Sequence, residues 1–211
     1  YAQAVDDARI AEPEEISRNL LAITPENDML VRKIVDGKDY LAVVTWTGWD
    51  GYDDKVGSTM ALAREVWVTV VPELKNFCAQ QKLEGSAVSL RLEQLTGLPP
   101  QNGTSRFGES WVAPGDMFRP APDPEISDFE AELHFPVSDR YVKISDVHKH
   151  WFENLKKSSY GENGYPWTRL GYTYDWGNPH SDIGLSEFVI RAQAVVRVES
   201  VTATDAYCRR Q

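Results

Sequence analysis

The sequence is poor in the features that usually announce a function. Its 211 residues hold two cysteines, three methionines and four histidines. No HExxH, CxxC or EF-hand spacing occurs, so the common local metal motifs are absent and no cofactor or metal is expected. The GxSxG turn that exposes a nucleophilic serine is missing too. Basic runs are short: "LKK" at 155–157 and "CRRQ" at 208–211 are the densest. With 32 acidic against 22 basic residues, the net charge is −10. That balance repels a polyanion, and nucleic acid is excluded as a partner. No apolar stretch approaches the roughly 20 residues that span a bilayer, so no membrane span is expected. Internal repeats, heptads and low-complexity blocks are likewise missing.

What is present is ordinary for a folded protein: 42% hydrophobic and 26% charged residues. Length and composition fit one globular domain over 13–211, preceded by a flexible polar segment, 1–12. The sequence starts at Tyr1 without Met, which points to a removed signal peptide or a trimmed end. The even cysteine count allows a Cys78–Cys208 bond. It would close a loop of about 130 residues and contribute on the order of 4–5 kcal/mol through the unfolded state. The alternative is two buried thiols. The bond and the abundant Trp and Tyr favour a secreted or periplasmic protein, and "NGT" at 102–104 forms an N-glycosylation sequon.

Local patterns give a series of elements. Pro13 opens a short helix with Glu14 and Glu15 in its first turn and Ile16, Leu20 and Leu21 on its apolar side. "MLVRKIV" and "KDYLAVVTW" flank Asp36-Gly37, a two-residue hairpin turn that sets Lys33 opposite Tyr40 and Val31 opposite Ala42. "REVWVTVV" is a strand stopped by Pro72, which starts a helix burying Leu74, Phe77 and Cys78. "SAVSLRL" alternates Val88, Leu90 and Leu92 and reads as a strand, with a helix as the alternative. "SRFGESWVA" is a strand, and the proline-rich "APGDMFRPAPDPEISD" an irregular surface wrap. "ISDVHKHWFENLKKSSYG" is a helix capped by Ser145 or Asp146, with a Val147–Trp151–Leu155 stripe. "LSEFVIRA" and "AVVRVESVT" complete an α+β fold with a largely antiparallel sheet and two or three helices packed on it.

The most distinctive stretch is "PWTRLGYTYDWG", 166–177, with four aromatics in twelve residues. Read as a continuous strand, it points Leu170, Tyr172, Tyr174 and Trp176 one way and Arg169, Gly171, Thr173 and Asp175 the other. Either one face simply packs a core, or Arg169, Thr173 and Asp175 form a polar cup beside an aromatic wall. In the second case Arg169 offers a donor fork to a carboxylate or phosphate and lies against Asp175 or Glu187. The loop that follows adds His180 and Asp182. Acid–base chemistry would pair His180 or His148 with Asp175, Asp182 or Glu187. His148 and His150, two apart on a helix, diverge too far to share a metal ion. The acidic runs at 50–54 and 123–132 read as solvated surface, although such loops can also supply oxygen ligands to Ca²⁺.

"LSEFVIRAQAVVRVESV" is similar in cadence to the last strands of ADP-ribosyltransferases, where a glutamate precedes a strand that returns on itself, and the resemblance makes Glu187 the match for that glutamate. The Ser-Thr-Ser strand of that family has no counterpart here. Two broader classes fit the 166–190 region: an extracellular hydrolase acting on a polar substrate, or a non-catalytic module binding a saccharide or peptide. A histidine held against a carboxylate in a closed pocket would mark the first. Collinear exposed aromatics would mark the second.

Overall fold

A computed structural model describes residues 1–81, 85–140 and 142–209. The fold is α+β, with a large antiparallel sheet as expected from the sequence. Contacts divide the chain into two compact units: Tyr1–Ala22, Glu93–Pro100 and Arg119–Glu187 form one, and the remaining segments the other.

The second unit holds the sheet. Strands β1 (Arg32–Val35) and β2 (Lys38–Thr47) form the hairpin in the expected register, Lys33 opposite Tyr40. Asp36 (φ 50°) and Gly37 (φ 74°) both adopt the left-handed conformation that suits the turn to twisted strands. The other sheet strands are β3 (Thr59–Ala61), β4 (Val66–Val70), β5 (Arg106–Val112), β6 (Met117–Phe118), β9 (Phe188–Ile190) and β10 (Val195–Ala203). They run β3-β10-β5-β2-β4-β9-β6, with β1 beside β2, and each of these neighbouring pairs is antiparallel. In the middle of β2, Leu41 to Val44 are all buried, which explains a continuous apolar run in place of alternation.

Helix α2 (Val71–Gln80) starts at Val71-Pro72 as anticipated and buries Leu74 and Cys78. Cys78 is disulfide-bonded to Cys208, just past the short helix α5 (Thr204–Tyr207). Nearby, Tyr207 donates to Glu109, which also pairs with Lys75.

Two elements depart from expectation here. "SAVSLRL" belongs to helix α3 (Ser86–Leu95) and is not a strand. Val88, Leu92 and Leu95 are buried at helical spacing and Leu90 faces solvent. The Pro-rich segment is no surface wrap at its centre either, because residues 117–122 are all buried. Proline has no N–H to satisfy, so Pro120 and Pro122 enter the interior without that cost.

The first unit contains α1 (Ala2–Asp7), helix α4 (Asp146–Ser159) and the ribbon β7 (Tyr172–Tyr174) with β8 (Ile183–Ser186). Residues 2–7, read from sequence as part of a flexible segment, are helical and bury Ala4 and Val5. The expected helix at Pro13 is a single 3₁₀ turn, Pro13–Glu15. In α4 the Ser145 hydroxyl accepts from the His148 N–H, as the cap reading required. The buried face is rotated, however: His148, Phe152 and Ser159 are inside, and Val147 is 80% exposed. Trp151 remains half-buried between His148 and Trp167.

Candidate functional site

The segment 166–177 is not one continuous strand. An isolated bridge joins Trp167 to Thr173, so the intervening residues reverse direction. Arg169 (φ 64°) and Gly171 (φ 74°) make that reversal possible. Only Tyr172–Tyr174 is strand, paired with β8 through an irregular register. The strict in-out alternation expected for Arg169, Thr173 and Asp175 is therefore broken.

Arg169 is buried, and its Nη2 donates to the carbonyls of Ala8 (3.2 Å) and Arg9 (2.9 Å) at the end of α1. Its guanidinium also faces the Tyr160 ring, 5.6 Å from the centroid. Neither Asp175 nor Glu187 pairs with it. Carbonyl dipoles at a helix C-terminus take the role assigned to a carboxylate. Burial pushes the Tyr160 hydroxyl up to about 12, with Arg169 and Arg9 opposing the rise. Thr173 is buried as well: its Oγ1 donates to the Leu95 carbonyl at 2.6 Å and accepts the Leu185 N–H at 2.9 Å. Asp175 is buried and accepts the Gly177 N–H.

The aromatic side of the segment divides between core and surface. Leu170 and Tyr172 pack in a buried cluster with Leu20, Ala121 and Ala131. Tyr174 and Trp176 are half-buried. The Trp176 Nε1 donates to the Leu98 carbonyl, and the Tyr1 ring meets its indole edge-on at 5.8 Å. The stretch is thus core wall at one end and an accessible ledge at the other.

Acidic groups gather around the Tyr174 hydroxyl. Carboxylate oxygens of Asp7, Glu15 and Asp182 lie within 4.8 Å of one another. The Tyr174 hydroxyl donates to Asp7 Oδ2 (2.7 Å), and the Tyr172 hydroxyl to the Glu15 carbonyl (2.8 Å). Desolvation, then the Asp7 and Asp175 charges, raises the Asp182 carboxyl above the usual range. Glu15 is raised first by desolvation and then by Asp7, Glu12 and Asp182, against a backbone hydrogen bond that lowers it. Both tyrosine hydroxyls are raised, again chiefly by desolvation. Two like charges at this separation repel by about 1–3 kcal/mol, as much as the net worth of one or two hydrogen bonds. The spacing would let the three oxygens share a cation, and surface acids also cluster without one.

The acid–base pairings anticipated for the histidines do not assemble at His180. It is exposed, its N–H is held by Asn178 Oδ1, and it meets no carboxylate among the described residues. His148 is buried in α4, with Nε2 2.8 Å from the Ala121 carbonyl and its ring stacked on Trp151. Glu187, between β8 and β9, donates its N–H to the Gly171 carbonyl. Its side chain is half-buried, and desolvation alone pushes its carboxyl up to about 8.

Sequence reading missed Asp7 and Glu15, which lie more than 150 positions from the aromatic segment and carry no local signal. It also missed Arg119, which is fully buried and donates to the carbonyls of Leu21, Glu125 and Asp128. Desolvation raises the neighbouring Asp128 carboxyl to about 6, although Arg119 opposes the rise. No protein-family model, curated protein or solved structure matches the chain.

Proposed function

We propose that the chain is a secreted or periplasmic binding module for a small polar ligand, a saccharide or a peptide carrying a positive charge. One observation carries the reading. Half-buried Tyr174 donates its hydroxyl to Asp7, whose carboxylate clusters with those of Glu15 and Asp182, and a second half-buried aromatic, Trp176, lies two residues on. Aromatic faces stack on sugar rings or aliphatic stems, and carboxylates accept from hydroxyls and ammonium groups. The hydrolase alternative has less support, because His180 is exposed and meets no carboxylate among the described residues. Arg169 is a scaffold group in this reading and holds no ligand. The Cys78–Cys208 bond is compatible with an oxidising compartment.

Calorimetric titration with a neutral oligosaccharide, a lysine-containing tripeptide and its glutamate counterpart tests the proposal. The neutral or basic ligand should bind and the acidic one should not. Trp176→Ala should weaken binding at least tenfold with the fold retained. No binding across the panel would defeat the reading. Cleavage of a ligand, read by mass spectrometry of the same mixture, would replace it with the hydrolase.

A further inference from the structure

Within the first unit, residues 1–16 lie against the 160–187 region through a set of side-chain tethers. The Tyr1 hydroxyl donates to the Gly164 carbonyl (2.9 Å), and Arg9 Nη2 to the Tyr160 carbonyl (3.0 Å). From the other side Arg169 holds the Ala8 and Arg9 carbonyls, Tyr174 holds Asp7, and Tyr172 holds the Glu15 carbonyl. These contacts favour closure at any pH at which the tyrosines are neutral.

One set of contacts opposes closure. Asp7 and Glu15 belong to the 1–16 segment and Asp182 to the surface beneath it, and closing the segment brings their oxygens within 4.8 Å. The charged groups acting on Glu15 are Asp7, Glu12 and Asp182, and those acting on Asp182 are Asp7 and Asp175, all of them acidic. Arg9, the basic residue nearest in sequence, pairs with Asp6 instead. Tyr172 and Tyr174 complete the surroundings as neutral donors.

We propose that residues 1–16 form a pH-dependent strap, closed when the Asp7–Glu15–Asp182 cluster holds a proton and loosened when all three carboxylates are ionised. The sign follows from linkage. Glu15 and Asp182 bind protons more tightly in the closed form than free carboxylates do. The closed form therefore carries more protons than the open one. Closure is strongest below the ordinary carboxylate range and weakens as pH rises through the raised values toward neutrality. The strap does not depend on the binding reading, and its test contains no ligand.

Hydrogen exchange over residues 2–10 measures the opening directly, since Val5, Ala8 and Ile10 donate backbone hydrogen bonds there. After correction for intrinsic rates, protection should fall severalfold between pH 3.5 and pH 8. Protection in β2 and β5 should not change. The double variant Glu15→Gln, Asp182→Asn should hold its acid-level protection across the whole range. Tyr174→Phe, which removes the hydroxyl bonded to Asp7, should lower protection at both pH values and keep the pH response. Equal protection at the two pH values in the unaltered chain would overturn the proposal. A full pH response surviving in the double variant would also overturn it.

Discussion

Gly37 and Gly171 share a φ of 74°, yet they constrain the chain differently. A Cβ at Gly37 would meet nothing within 4 Å, so only backbone strain resists substitution. At Gly171 a Cβ would fall 2.7 Å from Cδ of the fully buried Arg119. Gly37→Ala should therefore cost about 1 kcal/mol. Gly171→Ala should cost at least about 2–3 kcal/mol, because overpacking adds to the strain. Urea unfolding midpoints of the two variants check the order, and equal costs would mean that Arg119 yields freely. The contrast also marks what single residues disclosed in advance. Asp36-Gly37 is a turn by its chemistry alone, whereas nothing about an arginine announces the left-handed φ of 64° that Arg169 adopts. That conformation, with the left-handed Gly171 two residues on, breaks the alternation on which the Arg169–Thr173–Asp175 cup depended.

Among the elements, those with a terminal signal were legible and those without one were not. Ser145 caps α4 through the His148 N–H at 3.2 Å, so Ser145→Ala should destabilise by about 1 kcal/mol. Calorimetry should show a lowered melting temperature, and Ser145→Asp should restore it. The cap fixed where α4 begins but not which face it buries. Val147, Trp151 and Leu155 and the neighbouring His148, Phe152 and Ser159 both have helical spacing. The second set won because His148 finds a carbonyl inside and Phe152 packs against Trp167 and Phe135. "SAVSLRL" failed for a related reason. Val88 and Leu92 fit a strand and a helix alike, and the residue that decides, Leu95, lies beyond the heptapeptide.

For the whole chain, composition and strand count conveyed the α+β class and the antiparallel sheet. They could not convey the meeting of residues 1–16 with the 160–187 region. Contacts between positions so far apart leave no periodicity, which is why the acidic ledge went unseen until the fold was in view. The cysteine pair is the long-range contact that simple counting did supply, and its placement has a mechanical consequence. Cys78 and Cys208 are 130 positions apart, with β1–β4 before the bridged stretch and β5, β6 and β7–β10 inside it. An oxidised chain stretched from its two ends can lengthen only through the residues outside the bridge. Reduction with a small dithiol frees the rest, which at 3.3–3.6 Å per residue is about 430–470 Å of additional contour. Single-molecule extension before and after reduction should differ by that length. The covalent clasp would then act as a load limiter: tension can peel β2 away from β5, but it cannot unravel the second half of the sheet.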